Sequence, residues 1–401
     1  MISIQAAWDL IENSVAPGPD QTVRLMNALG CVLAEDVHCT INSPPFDKSM
    51  MDGFGIKSAD FASGLRTFCI VGELMAGHTS QHVLQSGEAI QIMTGAPIPA
   101  GVDAVIQVEE TKQNGSDVEI TTDRLIEPHH NIVKCGESMR VGETLVTSGK
   151  QLQPQDIGLL AELGRHEILV RRPPTIAVLA TGDELVPVDA EPGAGQIRNS
   201  NEPMLAAQIA RVGCQPVPIG IARDNREDLH AKITQGLKAD ILCLSGGVSA
   251  GKKDLVPSEL ARAGVVEVFH RVALKPGKPI WFGVLKGEHP RYVFGLPGNP
   301  VSSFVCFELF VRAAIRRWIG LCDSTPRLQQ AKLSQPFSMT SNRPTLFPSA
   351  VSRNGSEVWV TPSLWKGSFD LRATIESNAL AYFHEAGEYR EGDDIEVLQL
   401  H

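Results

Sequence analysis

The chain is poor in aromatic residues, 5% of 401, and has no surplus of positive charge. It also lacks long apolar runs, and each shortage excludes a class of protein. No stretch approaches the roughly 18 apolar residues of a membrane-spanning helix, so no spanning segment is expected. Lys and Arg number 36 against 46 Asp and Glu, a formal net charge of −10. A general binder of nucleic acid or of anionic membranes needs a basic face to displace counterions. Neither partner is expected here, whereas a small anionic substrate needs only a few local cations. The eight cysteines (Cys31, Cys39, Cys69, Cys135, Cys214, Cys243, Cys306 and Cys322) are scattered, with no Cys-x-x-Cys pair. That spacing fits neither a zinc site nor a disulfide framework, and reduced thiols are expected. The opening MISIQAAWDLIENSV carries Asp9 and Glu12 on an amphipathic helical pattern. It has neither the basic start nor the apolar centre of a signal peptide, so a cytoplasmic protein is expected.

Glycine (36) and proline (26) are plentiful, and 43% of residues are hydrophobic. A folded chain rich in turns follows, and at roughly 150 residues per domain it holds two to four domains. Apolar residues every three or four positions predict helices over 4–15 and 24–37. From residue 43 to 150 the texture is β, with short runs at 89–93, 104–108 and 118–121 and Asn114-Gly115 at a hairpin tip. A helix is predicted over 154–163, opened by Pro154 and ended by Gly164. From residue 175 strands and helices alternate. Strands are expected at 175–180, 217–221, 240–244, 265–269, 280–284 and 292–294. Helices are expected at 201–212, with Asn201 as N-cap, at 226–237 and at 300–319. Such alternation predicts a parallel, doubly wound sheet. Beyond residue 325 the chain returns to β, with Asn354-Gly355 between two strand patterns and further strands at 379–383 and 395–398.

In an open parallel sheet, ligands bind beyond the carboxyl ends of the strands. There the sequence places Thr181-Gly182-Asp183-Glu184-Leu185, then Arg223-Asp224, then Ser245-Gly246-Gly247-Val248-Ser249 with Asp254 shortly after. Four carboxylates on one lip (Asp183, Glu184, Asp224, Asp254) would repel one another unless they remained apart as solvated loop acids. Beside a glycine-rich turn, a divalent-cation site is the better reading, because Mg2+ takes one or two carboxylates and fills its shell with water and phosphate. The glycines let backbone N–H groups approach a ligand. Gly295-Leu296-Pro297-Gly298-Asn299-Pro300 leads a strand into a helix N-terminus, which favours an anion over a plain capping turn. Lys275-Pro276-Gly277-Lys278-Pro279 fixes two cations in a stiff turn, more an oxyanion clamp than a solvated basic loop. Residues 43–54 and 93–97 read by themselves as loops, His129-His130 as exposed histidines, and no Ser-His-Asp or Cys-His arrangement is evident.

The ordered series Phe46-Asp47-x-Ser49-x-Met51-Asp52-Gly53, Met93-Thr94-Gly95-Ala96-Pro97, Thr181 to Leu185, Ser245 to Ser249, Lys275 to Pro279 and Gly295 to Pro300 resembles the molybdopterin molybdenumtransferase family, which includes bacterial MoeA and the E domain of gephyrin. The resemblance runs from about residue 1 to 400. It implies an elongated homodimer of four-domain chains: a helical linking domain (1–40 with 140–172), an inserted small β domain (41–139), a doubly wound molybdopterin-binding α/β domain (173–324) and a C-terminal β-barrel-like domain (325–401). The implied activity is insertion of molybdate into adenylylated molybdopterin, with Mg2+-dependent release of AMP, to form molybdenum cofactor. Asp183, Glu184, Asp224 and Asp254 would then handle metal and phosphate. Ser245, Gly246, Gly247, Pro297, Gly298, Asn299 and Pro300 would hold the pterin or its phosphate. Lys275 and Lys278, with Arg343 and Ser368, would hold molybdate, while Asp52 and Thr94 would reach the site of a neighbouring subunit. Docking of a separate molybdopterin adenylyltransferase stays open. The chain departs from the family at Ser138, where Gly-Glu-Asp is usual, and more mildly at Gly55, Ala250 and Leu255. Two other readings share the fold. An adenylyltransferase or nucleotide pyrophosphatase would need only the α/β domain, leaving the Asp52 and Thr94 loops without purpose. A dimeric scaffold would have kept the architecture and lost the chemistry.

Overall fold

A computed structural model describes residues 1–248, 255–321 and 323–400. At its centre is a six-stranded sheet in the order Gln215–Ala222, Thr175–Thr181, Ile241–Ser245, Arg291–Leu296, Trp281–Leu285, Val265–His270. The first four strands are parallel. Period-two alternation sends successive residues of a strand to opposite faces, and the burial follows it. Ile176 and Val178 join one core cluster with Leu205, Ile209, Val301 and Val305, while Ala177 and Leu179 join another with Leu229, Ile233 and Leu260. Helices therefore cover both faces, as a doubly wound α/β unit requires.

The doubly wound sheet expected from the sequence is present, and one of its strands is antiparallel. Trp281–Leu285 runs antiparallel to both neighbours. Residues 286–290 alone connect it to Arg291–Leu296, a hairpin too short for the crossover that parallel pairing needs. The helix predicted over 300–319 consists of Pro300–Cys306, a π-helical turn at Phe307–Val311 and Arg312–Trp318. The first helix, Ile4–Ser14, is capped by the Ser3 hydroxyl, which accepts from Ala6 N. It buries Ile4, Ala7, Trp8 and Ile11 in the core of the α/β sheet, and Trp8 Nε1 donates to Leu309 O at 2.9 Å.

The helix predicted over 24–37 does not form. A single 3-10 turn, Leu25–Asn27, is all that appears. Gly30 adopts a left-handed backbone (φ +77°), and the chain then bridges Val32 to Gln151 and Leu33 to Val170. The apolar residues that mimic a helical stripe are buried by β contacts instead, a case of tertiary pairing overriding local periodicity.

Two β modules complete the chain. Residues 53–120 form a six-stranded sheet in the order Ala104–Gln107, Gly53–Ile56, Glu88–Ile92, Thr67–Leu74, Asp117–Ile120, Thr111–Asn114. Residues 328–399 close a five-stranded barrel, Leu328–Leu333, Glu357–Pro362, Thr345–Asn354, Ala379–Phe383, Asp394–Gln399. Both predicted hairpins are present. Asn114 pairs with Asp117 and Asn354 with Glu357, and Gly115 and Gly355 supply the positive φ that such tight turns demand. Among the described residues no helix is long and apolar enough to cross a membrane.

Candidate active site

The carboxyl ends of the four parallel strands converge on one lip. After Thr175–Thr181 the chain turns at Gly182 (φ +145°). A Cβ there would lie 2.6 Å from the Glu184 carboxylate, so the Glu184 side chain is folded back over the glycine. Asp183 and Glu184 are both exposed. The exit of Gln215–Ala222 is joined to this turn: Asp224 N donates to Asp183 Oδ1 at 3.1 Å. The Arg223 guanidinium donates to the carbonyls of Asp183 and Leu185, each at 3.3 Å. Asp183 and Asp224 are thereby held on adjoining loops. Among the described residues no three His, Cys, Asp or Glu side chains are clustered as a metal cage, and Asp254 lies outside those residues.

Ser245 ends the third strand and is buried. Gly246 and Gly247 follow with φ +99° and +63°. A Cβ on Gly246 would meet Thr181 O at 2.6 Å, and one on Gly247 would meet Val256 Cγ2 at 2.6 Å. Glycine is needed at both for space as well as for φ. Gly246 N donates to Leu296 O at 3.0 Å, and the α-carbon of Gly246 lies 3.7 Å from where a Cβ of Gly298 would stand. The 245–247 and 297–300 loops are therefore adjacent. Asn201, which the sequence reads only as a helix cap, joins them: its Nδ2 donates to Ser245 Oγ at 2.6 Å and to Gly298 O at 2.8 Å.

The C-terminal barrel reaches the same region at two points. Asn299 Nδ2 donates to Ser368 Oγ at 2.9 Å, and Val301 N donates to Ser368 O at 3.1 Å. Pro300 has no N–H and Val301 N is engaged, so this helix start offers an anion fewer donors than its position in the fold implies. At the second point, Lys275 N donates to Pro344 O and Leu346 N to Lys275 O, both at 2.9 Å. Arg343 Nη1 donates to Leu274 O at 2.8 Å. The lysine turn is also pressed on the helix Pro300–Cys306, because a Cβ on Gly277 would lie 2.6 Å from Cys306 Sγ. Lys275 is half-buried and Lys278 exposed, and neither forms an ion pair among the described residues. Arg343 and Ser368 thus lie with two different parts of the predicted site, the lysine turn and the Asn299 loop.

Asp52 and Thr94 lie on the first β module, where Thr94 N and Oγ1 both donate to Asp52 Oδ1 at 2.7 Å. These bonds hold the Asp52 carboxyl below the usual carboxylate range. Among the described residues no hydrogen bond or ion pair ties either residue to the lip of the same chain. Their loop is nevertheless firmly placed. Asp47 accepts from Lys134 Nζ and Cys135 N, each at 2.8 Å, and Ser49 pairs with Gly95 and Ala96. Phe46, Met50 and Met51 remain exposed on it, a feature not predicted from the sequence. Ser138 donates its backbone N–H to Ser43 O at 2.9 Å. Beside the lip, a largely apolar cavity of about 510 Å³ is lined by Pro187, Val188, Pro203, Pro218, Ile221 and Arg223 among others.

Residues 2–164 match the MoeA N-terminal region (domain I and II), and residues 177–317 match a probable molybdopterin binding domain. The chain is 34% identical over 380 residues to a molybdopterin molybdenumtransferase of Staphylococcus aureus (strain COL), covering 89% of this chain and 88% of that one. It is 37% identical over 317 residues to a molybdopterin molybdenumtransferase of Haemophilus influenzae, covering 79% and 77%. The solved structure of a molybdopterin biosynthesis moeA protein from Pyrococcus horikoshii OT3 aligns over all of both chains with a TM-score of 0.83 at 27% identity. With its glycine-lined lip, its paired lysines and a fold matched from end to end, the chain belongs to the molybdopterin molybdenumtransferase family, transferases of molybdenum cofactor biosynthesis.

Proposed function

We propose that the chain, as a cytoplasmic homodimer, inserts molybdate into adenylylated molybdopterin and releases AMP in a Mg2+-dependent step. One observation carries the reading: the Asp183 and Asp224 loops, the paired glycine loops and the Lys275 turn all leave the sheet at the same edge. That edge offers two kinds of subsite. Gly246 and Gly247, with Ser245 and residues 297–300, form a close-approach wall for the pterin and its phosphate. Lys275, Lys278 and Arg343 form a cationic corner for a dianionic oxyanion such as molybdate. Ser368 positions the wall through Asn299 and Val301.

The chemistry required is substitution at the phosphoanhydride phosphorus. The bond to the AMP phosphate breaks, an oxygen nucleophile replaces it, and the dithiolene is freed to take molybdenum. Lysines fixed at the edge stabilise the negative charge that grows on the phosphate oxygens. The donor set fits Mg2+, because Asp183 and Asp224 present hard carboxylate oxygens on exposed loops, leaving room for water and phosphate in the shell. Asp183 and Asp224 would hold the ion, with Glu184 and Asp254 as further carboxylates, and when bound it supplies charge neutralisation at the phosphoanhydride. In the homodimer Asp52 and Thr94 complete the lip of the other subunit. The domain division at residues 40/41, 139/140, 172/173 and 324/325 belongs to the same reading.

AMP release from adenylylated molybdopterin tests it, measured with and without Mg2+ and molybdate. Wild type should release AMP only when both are present, and Asp224→Asn and Lys275→Ala should each abolish release. Consumption of ATP instead would identify an adenylyltransferase, and a folded dimer that releases nothing would identify a scaffold.

A further inference from the structure

We propose that Asn201 is a positioning residue that sets the spacing of the two pterin-binding loops. The inference rests on the assignment of those loops to the pterin and adds to it a residue outside the recognised motifs. Ser200 occupies the N-cap of helix Asn201–Arg211 and makes no side-chain capping bond, while Asn201 is the first helical residue. Its carboxamide is turned away from the helix end. Nδ2 spans from Ser245 Oγ at 2.6 Å to Gly298 O at 2.8 Å, across 44 and 97 residues of sequence. Those groups sit at the ends of neighbouring strands, just where the ladder between Ser245 and Leu296 stops. Beyond it Pro297 has no N–H to offer, and the chain must leave the sheet. Past the bond from Gly246 N to Leu296 O, this buried amide is the side chain that bridges the two loops.

Asn201 is only 9% exposed. Its Oδ1 is buried and has no donor among the described residues. An unpaired buried polar atom calls for an explanation. Here the amide is oriented by the two loop acceptors alone. A group of the same size that cannot donate would leave the Gly298 carbonyl facing an acceptor, and the gap between the loops would widen. The same segment reaches the acidic side of the lip: Asn199 N donates to Val186 O, and Ile197 N to Glu184 O.

The test uses the full-length protein with molybdopterin and molybdate as separate probes in equilibrium binding. Asn201→Ala and Asn201→Asp should each weaken molybdopterin binding about tenfold, the scale set by losing a buried hydrogen bond and stranding its partner. Molybdate affinity should stay near wild type. In turnover the loss should fall on the KM for adenylylated molybdopterin, with kcat retained. Asn201→Asp binding molybdopterin like wild type would overturn the proposal. So would parallel loss of both ligands with a lowered midpoint, because that is the mark of a merely structural residue. If Asn201→Ala fails to fold, Asn201→Asp and Asn201→Ser carry the comparison, since serine is too short to reach both loops. Gly246→Ala separates the two readings. Loss with Gly246→Ala but none at position 201 overturns the role of Asn201 alone, whereas no loss in either overturns the assignment of the lip to the pterin.

Discussion

Thr94 spends its backbone N–H and its hydroxyl on a single oxygen of Asp52. Both bonds favour the ionised carboxyl, so the folded pKa lies below the ordinary value. Asp52 is therefore charged across the neutral range. Thr94→Ala removes one of the two donors. The Asp52 pKa, followed by NMR titration of its carboxyl carbon, should rise toward the ordinary aspartate range, and an unchanged value would show that the hydroxyl contributes nothing. These residues also show what is legible at this scale. Motif order singled out Asp52 and Thr94, but neither their mutual bond nor the buried span of Asn201 could be read, because each depends on residues brought together from distant parts of the chain.

Among the elements, the starts of two central strands are fastened by one acid. Asp240 precedes Ile241–Ser245 and accepts from Thr175 N and Oγ1, both at 2.8 Å, and from Arg172 Nη2 at 3.0 Å. Burial alone would raise its pKa, but the bonds from Arg172 and Thr175 outweigh that and hold it low. A depressed folded pKa contributes stability that is present above the unfolded value and is lost as pH falls through the folded one. The expected window lies below about pH 4, the unfolded aspartate range. Urea midpoints of wild type should fall across that window, and those of Asp240→Asn should already be low at neutral pH and fall less. Equal slopes would refute the assignment. The strands of the α/β sheet are legible to within a residue or two because their apolar runs are local, whereas Thr67–Leu74 and Leu328–Leu333 are not. Residues 24–37 were misread because Val32, Leu33 and Val37 repeat like a helix while finding their partners in β contacts near residues 144–151 and 170.

Across the whole molecule, the thiols report how the modules close. Every described cysteine is free. Cys243 and Cys306 are fully enclosed and burial pushes both thiols up, as it pushes Cys214 to about 12. Cys69 and Cys135 are exposed on the first β module. Since the thiolate is the reactive form, brief alkylation of the native protein followed by mass spectrometry should label Cys69 and Cys135 and spare Cys214, Cys243 and Cys306. Rapid labelling of Cys306 would mean that the helix behind the lysine turn is not packed as described.

Most of the elements, the α/β and β texture of the successive modules and the motifs at the strand ends are legible in the sequence alone. Those depend on contiguous residues: apolar period, turn glycines, and the few positions between a strand and its helix. The sequence also determined the family, because the motif order survives without any contact being known. The tertiary structure alone decided which motifs meet. It brought Ser368 to Asn299 and Arg343 to the lysine turn. It reversed strand Trp281–Leu285 and set Asn201 between Ser245 and Gly298. These are hydrogen bonds and pairings between residues far apart in the chain, and their partners are selected by burial and sheet register, which no local pattern records.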